Sequence, residues 1–188
     1  LDKTLLRQKA LERLEGLAKQ LEKKQKKERQ IRTLLFHSKL WKEARTVGMV
    51  RSQPFEFDMN PVMSKALKQG KKVVVPKTLP ERQLSFYEVD ENTNYQLSNF
   101  GIEEPVNNFI VAKKEIDLLI VPGLIFSNKG YRIGFGKGYY DRFLEDFAGK
   151  TCALVFSEQL NNDWQPEVFD QPVTRVYTDQ LERSFRYE

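Results

Sequence analysis

One cysteine and one histidine among 188 residues remove much of the usual side-chain chemistry. Cys152 has no partner for an internal disulfide, and a cysteine-cluster metal site is excluded with it. It lies in the apolar run Thr151-Cys-Ala-Leu-Val-Phe156, where a thiol serves as a small buried hydrophobe. His37 sits beside Phe36 and close to Trp41 on a predicted helix and reads as a partly exposed helical residue. With no second histidine and no Gly-x-Ser-x-Gly, a serine triad lacks its parts, and a zinc site has too few ligands. No apolar run approaches the ~18 residues of a membrane-crossing helix. The lysine-rich beginning also lacks the apolar stretch of a secretory signal. The expectation is a soluble, cytoplasmic protein. Carboxylates, cations, tyrosines and an oxygen-bound divalent metal remain as chemical resources. Phosphoryl transfer suits them, because it needs positioning and charge neutralisation more than a protein nucleophile.

Lys plus Arg number 31 against 26 Asp plus Glu, a formal charge of +5. That surplus favours anionic partners, with nucleic acid, nucleotides and polyanionic metabolites all open. The length predicts one domain over residues 1–188, and 40% hydrophobic residues suffice for a core.

Residues 2 to about 42 are helical in pattern. Leu6, Ala10, Leu14, Leu17 and Leu21 form one apolar stripe, and a second helix carries Ile31, Leu34, Leu35 and Leu40. The run Lys23-Lys-Gln-Lys-Lys27 between them reads as a solvated helix face. From residue 46 short apolar runs alternate with helices. Strands are predicted at Thr46–Val50, Lys72–Val75, Ile116–Val121, Cys152–Phe156 and Val173–Tyr177, with helices at Asn60–Gln69 and Tyr140–Phe147. Val73-Val-Val75 and Leu118-Leu-Ile-Val121 show no polar alternation, as in strands covered on both faces. The fold class is therefore α/β: a single domain with a mostly parallel sheet flanked by helices and long N-terminal helices. Leu84–Val89 alternates and reads as an antiparallel or edge piece, and residues 90–109 read as loop.

The richest segment is Arg132-Ile-Gly-Phe-Gly-Lys-Gly-Tyr-Tyr-Asp141, with glycines at 134, 136 and 138. It matches neither the Walker A pattern nor Gly-x-Gly-x-x-Gly, since Tyr139 replaces the third glycine. Glycines let main-chain N–H groups close on an anion, and a following helix offers its positive end. The reading is a nucleotide or phosphate site; the alternative is a tight turn whose glycines serve packing alone. Ligands of such sheets lie beyond the carboxyl ends of the strands, where this loop, Glu56 and Lys77 are expected to converge.

These residues resemble the 5-formyltetrahydrofolate cyclo-ligase family, also called methenyltetrahydrofolate synthetase. The likeness rests on Ile116-Asp-Leu-Leu-Ile-Val-Pro-Gly123, Phe126, Gly130 and Arg132 through Leu144. Lys3, Arg7, Glu56, Gly70 through Lys77, Phe100-Gly-Ile-Glu-Glu-Pro105, Pro166 and Asp170 extend it along the chain. It implies a single three-layer α/β domain and conversion of 5-formyltetrahydrofolate into 5,10-methenyltetrahydrofolate, ADP and phosphate, dependent on ATP and Mg2+. It further implies that Lys3, Thr4, Leu5, Leu6 and Arg7 touch ATP, together with Arg132, Ile133, Gly134, Phe135, Gly136, Lys137, Gly138, Tyr139 and Tyr140. Lys137 and Arg132 would be catalytic. Arg51, Glu56, Phe135, Gly136, Lys137, Gly138 and Tyr139 would face the folate, and Asp141 with Asp170 would hold magnesium. The implied partners are ATP and a 5-formyltetrahydrofolate with or without a polyglutamate tail, bound by a monomer that uses neither nucleic acid nor membrane. Two departures stand out: Gly48-Met-Val50 lacks the aromatic residue common in the first strand, and Glu56-Phe-Asp-Met59 lacks a threonine. A sugar-phosphate or acyl-CoA enzyme on the same layout, and an RNA-binding protein using Lys23–Arg29, are the rival readings.

Overall fold

The computed structural model describes residues 2–180. The chain opens with α1 (Lys3–Ala18), α2 (Leu21–His37) and α3 (Lys39–Glu43). Asp2 caps α1 by accepting the Thr4 N–H at 2.9 Å. Leu6, Ala10, Leu14 and Leu17 are buried along one face, as the stripe predicts. Leu21 departs from it, because the chain turns at Lys19–Gln20 and Leu21 begins α2 exposed. Ser38 separates α2 from α3, donating to the Leu35 carbonyl and accepting the Trp41 N–H.

The lysine run lies inside α2 and is a solvated face only in part: Lys23, Gln25 and Lys26 are exposed, while Lys24 and Lys27 turn inward. Lys24 is buried and pairs with Glu28 at 2.9 Å. Lys27 reaches Ser157, Glu158 and Asp179, at 2.8, 3.1 and 2.9 Å. Burial works against its charge, but bonds to Asp179 and Glu158 win and raise its pKa. Lys24 finds its carboxylate one turn along the same helix, whereas those of Lys27 come from far along the chain, which no local pattern reveals.

The remaining elements are β1 (Thr46–Gly48), α4 (Asn60–Lys68), β2 (Lys72–Leu79), β3 (Gln83–Val89), β4 (Tyr95–Leu97), β5 (Glu103–Pro105), β6 (Ile110–Val111), β7 (Leu118–Ile120), β8 (Ile125–Phe126), β9 (Arg132–Ile133), α5 (Tyr139–Leu144), β10 (Lys150–Val155) and β11 (Arg175–Thr178). Seven strands form one sheet in the order β11-β10-β7-β1-β2-β3-β6. Neighbours from β11 to β2 run parallel, while β3 and β6 add antiparallel. The start of β7 is tied to that of β1 by Asp117, whose Oδ2 accepts the Arg45 and Thr46 N–H groups at 2.9 and 2.8 Å.

Strand alternation divides the core into two layers. Val73, Val75, Leu118, Ile120, Cys152 and Leu154 face α1, α2 and α4. Val74, Leu119, Val121, Ala153 and Val155 face α5. Both sides are covered, as the unbroken apolar runs predict. Gly48 has no room for a side chain: an added Cβ would lie 2.8 Å from Leu119 Cδ1 and 3.4 Å from the Phe86 ring. Cys152 is fully buried, and burial pushes its thiol pKa far up. Among the described residues no helix is long and apolar enough to cross a membrane.

Two segments differ from expectation. Residues 90–109 contain the β4–β5 hairpin, whose side chains are partly exposed and whose pairing depends on partners elsewhere. Thr78 donates to Glu104 through both its N–H and hydroxyl, at 2.7 and 2.9 Å. A second hairpin, β8–β9, intervenes between β7 and the glycine loop, so the loop does not follow the sheet strand directly. It stays at the carboxyl edge because Phe126 bridges to Leu160, just past β10.

The turn of that second hairpin sets a stringent packing requirement. Gly130 has φ +88, and a Cβ there would lie 2.4 Å from the Val173 carbonyl oxygen. Gly130→Ala combines left-handed strain with a backbone clash and is expected to cost about 2 kcal/mol or more, read as a lower urea midpoint.

Candidate active site

The loop from Gly134 to Gly138 joins β9 to α5. Gly136 and Gly138 have φ +94 and +77, a conformation that glycine adopts without steric penalty. Gly134 serves differently: a Cβ there would lie 2.5 Å from Arg132 Nη1, so the missing side chain makes room for a guanidinium. Arg132 is buried in β9, with the Tyr140 ring 5.5 Å from its guanidinium carbon and its Nε without a hydrogen-bond partner among the described residues. Burial pushes its pKa down, opposed by the charges of Asp141, Tyr140 and Asp170. Its charge acts on the loop from beneath.

Arg7 reaches the same loop from α1. Its Nε donates to the Gly134 carbonyl at 2.8 Å, and its guanidinium carbon lies 3.3 Å from where a Gly136 Cβ would stand. Lys137 is exposed, its Nζ 5.3 Å from the Phe100 ring centre. Among the described residues, Arg7, Arg132 and Lys137 have no carboxylate oxygen within 4 Å. The helix that follows is only six residues long, from Tyr139 to Leu144 rather than Tyr140 to Phe147. Its dipole therefore adds little, and anion attraction falls to the amides and the cations.

Across from the loop stands Glu56, in the connection from β1 to α4. Its Oε1 accepts the Gln53 N–H at 2.9 Å. Burial raises its pKa, opposed by that hydrogen bond and by Lys24. A cavity of about 40 Å³ beside it is bounded by Val50, Phe57, Val121 and Leu154, ends of three parallel strands and the adjoining loop. Tyr140 has a buried hydroxyl without a hydrogen-bond partner among the described residues, and burial raises its pKa, with Arg132 opposing and Glu56 adding to the rise. The whole connection is anchored on α2, where Glu28 Oε2 accepts the Asp58 N–H at 2.7 Å.

Aromatic rings border the loop on two sides. Phe55 packs against Phe135 with centroids 6.3 Å apart, and Phe100 meets Tyr139 edge-on at 6.1 Å. Phe135 and Phe100 are each about two-fifths exposed. Sequence reasoning missed Phe55 as part of this border and gave Phe100 no role, because each reaches the loop through tertiary structure alone.

Other predicted positions divide. Lys3 pairs with Glu167 at 3.1 Å, and Thr4 and Leu5 are exposed beside it on α1. Leu6 and Ile133 are core residues, so any ligand contact of theirs is through main chain. Arg51 is already engaged: it donates to Asn60 Oδ1 at 2.9 Å, lies 3.5 Å from Glu103 and sits over the Tyr95 ring at 4.4 Å. Lys77 does not join the cleft, because its ammonium donates to the Asn107 carbonyl at 2.5 Å. Asp141 and Asp170 both lie within electrostatic reach of Arg132, and Asp170 Oδ2 accepts the Glu167 N–H at 2.8 Å. No cluster of three or more Asp, Glu, His or Cys side chains suited to a metal occurs among the described residues.

Known proteins with this arrangement point one way. A family model described as the 5-formyltetrahydrofolate cyclo-ligase family matches residues 1–179. A probable 5-formyltetrahydrofolate cyclo-ligase of Schizosaccharomyces pombe is 31% identical over 126 residues, 64% of this chain and 61% of that protein. The chain is 28% identical to the Escherichia coli 5-formyltetrahydrofolate cyclo-ligase, covering 72% of itself and 78% of that enzyme. Among solved structures, the Aquifex aeolicus 5,10-methenyltetrahydrofolate synthetase superposes with a TM-score of 0.84 at 30% identity, over 99% of this chain and 94% of that one. The Mycoplasma pneumoniae synthetase, 20% identical with a TM-score of 0.77, shares the fold. With a model spanning nearly its whole length and the fold to match, the chain belongs to the 5-formyltetrahydrofolate cyclo-ligase family of enzymes.

Proposed function

We propose that the protein uses ATP and Mg2+ to convert 5-formyltetrahydrofolate into 5,10-methenyltetrahydrofolate, ADP and phosphate, and that the Gly134–Gly138 loop binds the triphosphate. One observation carries the reading: three cations, Arg7, Arg132 and Lys137, gather around this loop with no neutralising carboxylate within 4 Å among the described residues. Like charges repel at such proximity, and an anionic ligand offsets that cost. Facing them are a desolvated carboxylate, Glu56, and a border of exposed rings that suits a flat bicyclic ligand with polar edges.

The chemistry follows from what a formamide lacks. Its oxygen is a poor leaving group, and nitrogen 10 of the folate is a modest nucleophile. Attack of the formyl oxygen on the γ-phosphorus expels ADP and makes that oxygen part of a phosphate ester. Nitrogen 10 then adds to the formyl carbon, the C–O bond breaks towards phosphate, and loss of the nitrogen 10 proton leaves the methenyl bridge. Lys137 is the catalytic cation at the travelling phosphoryl group, with the loop amides on its oxygens. Arg132, buried below Gly134, acts as a positioning residue that holds the loop and offsets charge from underneath. Asp141 and Asp170 fit a magnesium ion, being carboxylates without a cation within 4 Å among the described residues. When bound, that ion supplies charge neutralisation at phosphate oxygens. Glu56 and Arg51 orient the folate, Arg51 through its hold on the β4–β5 hairpin. No step calls for a catalytic histidine. We also place the protein in the cytoplasm, as a monomer and one domain.

Purified protein with Mg2+, ATP and 5-formyltetrahydrofolate should develop methenyl absorbance, and a trace that stays flat with ATP present rejects the proposal. Lys137→Ala should lower kcat/KM about 100-fold or more, while Tm moves by no more than about 2 °C because the side chain is exposed. A matching loss of stability and activity would instead indicate packing. For Glu56 the folded pKa lies above the ordinary 4.5. Its contribution to stability is therefore complete below the unfolded value and is lost as pH rises through the folded one. Glu56→Gln should exceed the parent in urea midpoint at neutral pH, with the gap closing below about pH 4.5. The same change should raise the folate KM about tenfold or more.

A further inference from the structure

The turn between β2 and β3 contains two consecutive non-glycine residues in left-handed conformation, Glu81 with φ 61 and Arg82 with φ 59. Nothing in Leu79-Pro-Glu-Arg-Gln83 is a natural choice for that geometry, which favours glycine or asparagine. Strain of this kind persists where the surroundings impose it, commonly beside a ligand. Here it delivers Arg82 to the glycine loop: Nη1 and Cδ lie 3.7 and 3.8 Å from where a Cβ on Gly138 would stand. Arg82 is exposed, and its guanidinium makes no hydrogen bond or ion pair within the described residues. It is thus a fourth cation at the loop, at the end opposite Arg7, which touches Gly134 and Gly136.

We infer that Arg82 is a further binding residue for the triphosphate, gripping from the β2–β3 turn the end of the phosphate chain that Arg7 does not reach. The inference rests on the nucleotide reading of the loop. Gly134 and Gly138 are four residues apart, at most about 14 Å, a span that suits linked phosphates better than one isolated phosphate. A planar guanidinium fork also takes two oxygens at once, which an ammonium does not. The carboxylates of a folate tail share this anion chemistry, so the test separates the two ligands.

The test measures KM for ATP and for 5-formyltetrahydrofolate separately, and affinity for a non-hydrolysable ATP analogue in the absence of folate. Arg82→Ala should raise the ATP KM and the analogue Kd about tenfold, leave the folate KM within about twofold, and flatten their dependence on salt. Arg82→Lys should recover part of the loss. Arg82→Gly, which relieves the left-handed strain, should lose the same affinity while its Tm is no lower than the parent's. Parent-like analogue binding in both the alanine and glycine variants overturns the inference and leaves the nucleotide reading standing. A loss confined to the folate overturns it as well. Failure of the parent protein to bind the analogue removes the nucleotide reading and this inference together.

Discussion

Positive charge is brought to one short stretch of main chain by elements far apart in sequence, and most of the site's architecture answers to that concentration. Arg7 comes from the first helix, Arg82 from a sheet turn, Arg132 from a small hairpin strand and Lys137 from the loop itself. Burial makes the arrangement more demanding: Arg132 is held where water cannot screen it, and the carboxylates of Asp141 and Asp170 oppose the loss of its proton. A low-dielectric wall behind a ring of cations focuses the field outward, towards an arriving anion. The glycines are the steric condition for this, since Gly134 vacates the space that Arg132 fills and Gly136 the space that Arg7 approaches.

The opposite wall of the cleft follows another logic. Its carboxylate is held in place by a chain of supports that begins in the protein interior. Lys24 neutralises Glu28, Glu28 receives the Asp58 N–H, and the segment so pinned presents Glu56 to the cavity. A buried ion pair is a poor source of net stability, but removing one partner strands the other. Here the pair serves to fix the loop that carries Glu56.

Sheet strands were legible in the sequence because burial on both faces leaves unbroken apolar runs such as Val73–Val75 and Leu118–Val121. The glycine loop was legible too, since its residue types are themselves the signal. Three things were not. Lys27 looked like a wet surface because its counter-charges, Glu158 and Asp179, lie more than 130 residues away, and Lys24 because the burial of its pair with Glu28 is set by tertiary packing. The β4–β5 and β8–β9 hairpins are two or three residues per strand, below the length at which alternation can be recognised. The Glu81–Arg82 turn carries no turn-forming residue type at its left-handed positions, so its direction is set by the folded structure alone. Gly48 turns a departure into an explanation: an aromatic side chain there would occupy space that Phe86 and Leu119 already fill.

The contact between Arg7 and Gly134 spans 127 residues, and Lys3 reaches Glu167 across 164. During synthesis the first helix therefore leaves the ribosome long before the backbone it must grip exists. Until then its apolar face, Leu6, Ala10, Leu14 and Leu17, has nothing of the sheet's far half to cover. Such long-range closure makes for slow folding and a lengthy exposure of sticky surface. The gathering of cations at the glycine loop thus waits on chain made more than a hundred residues after Arg7.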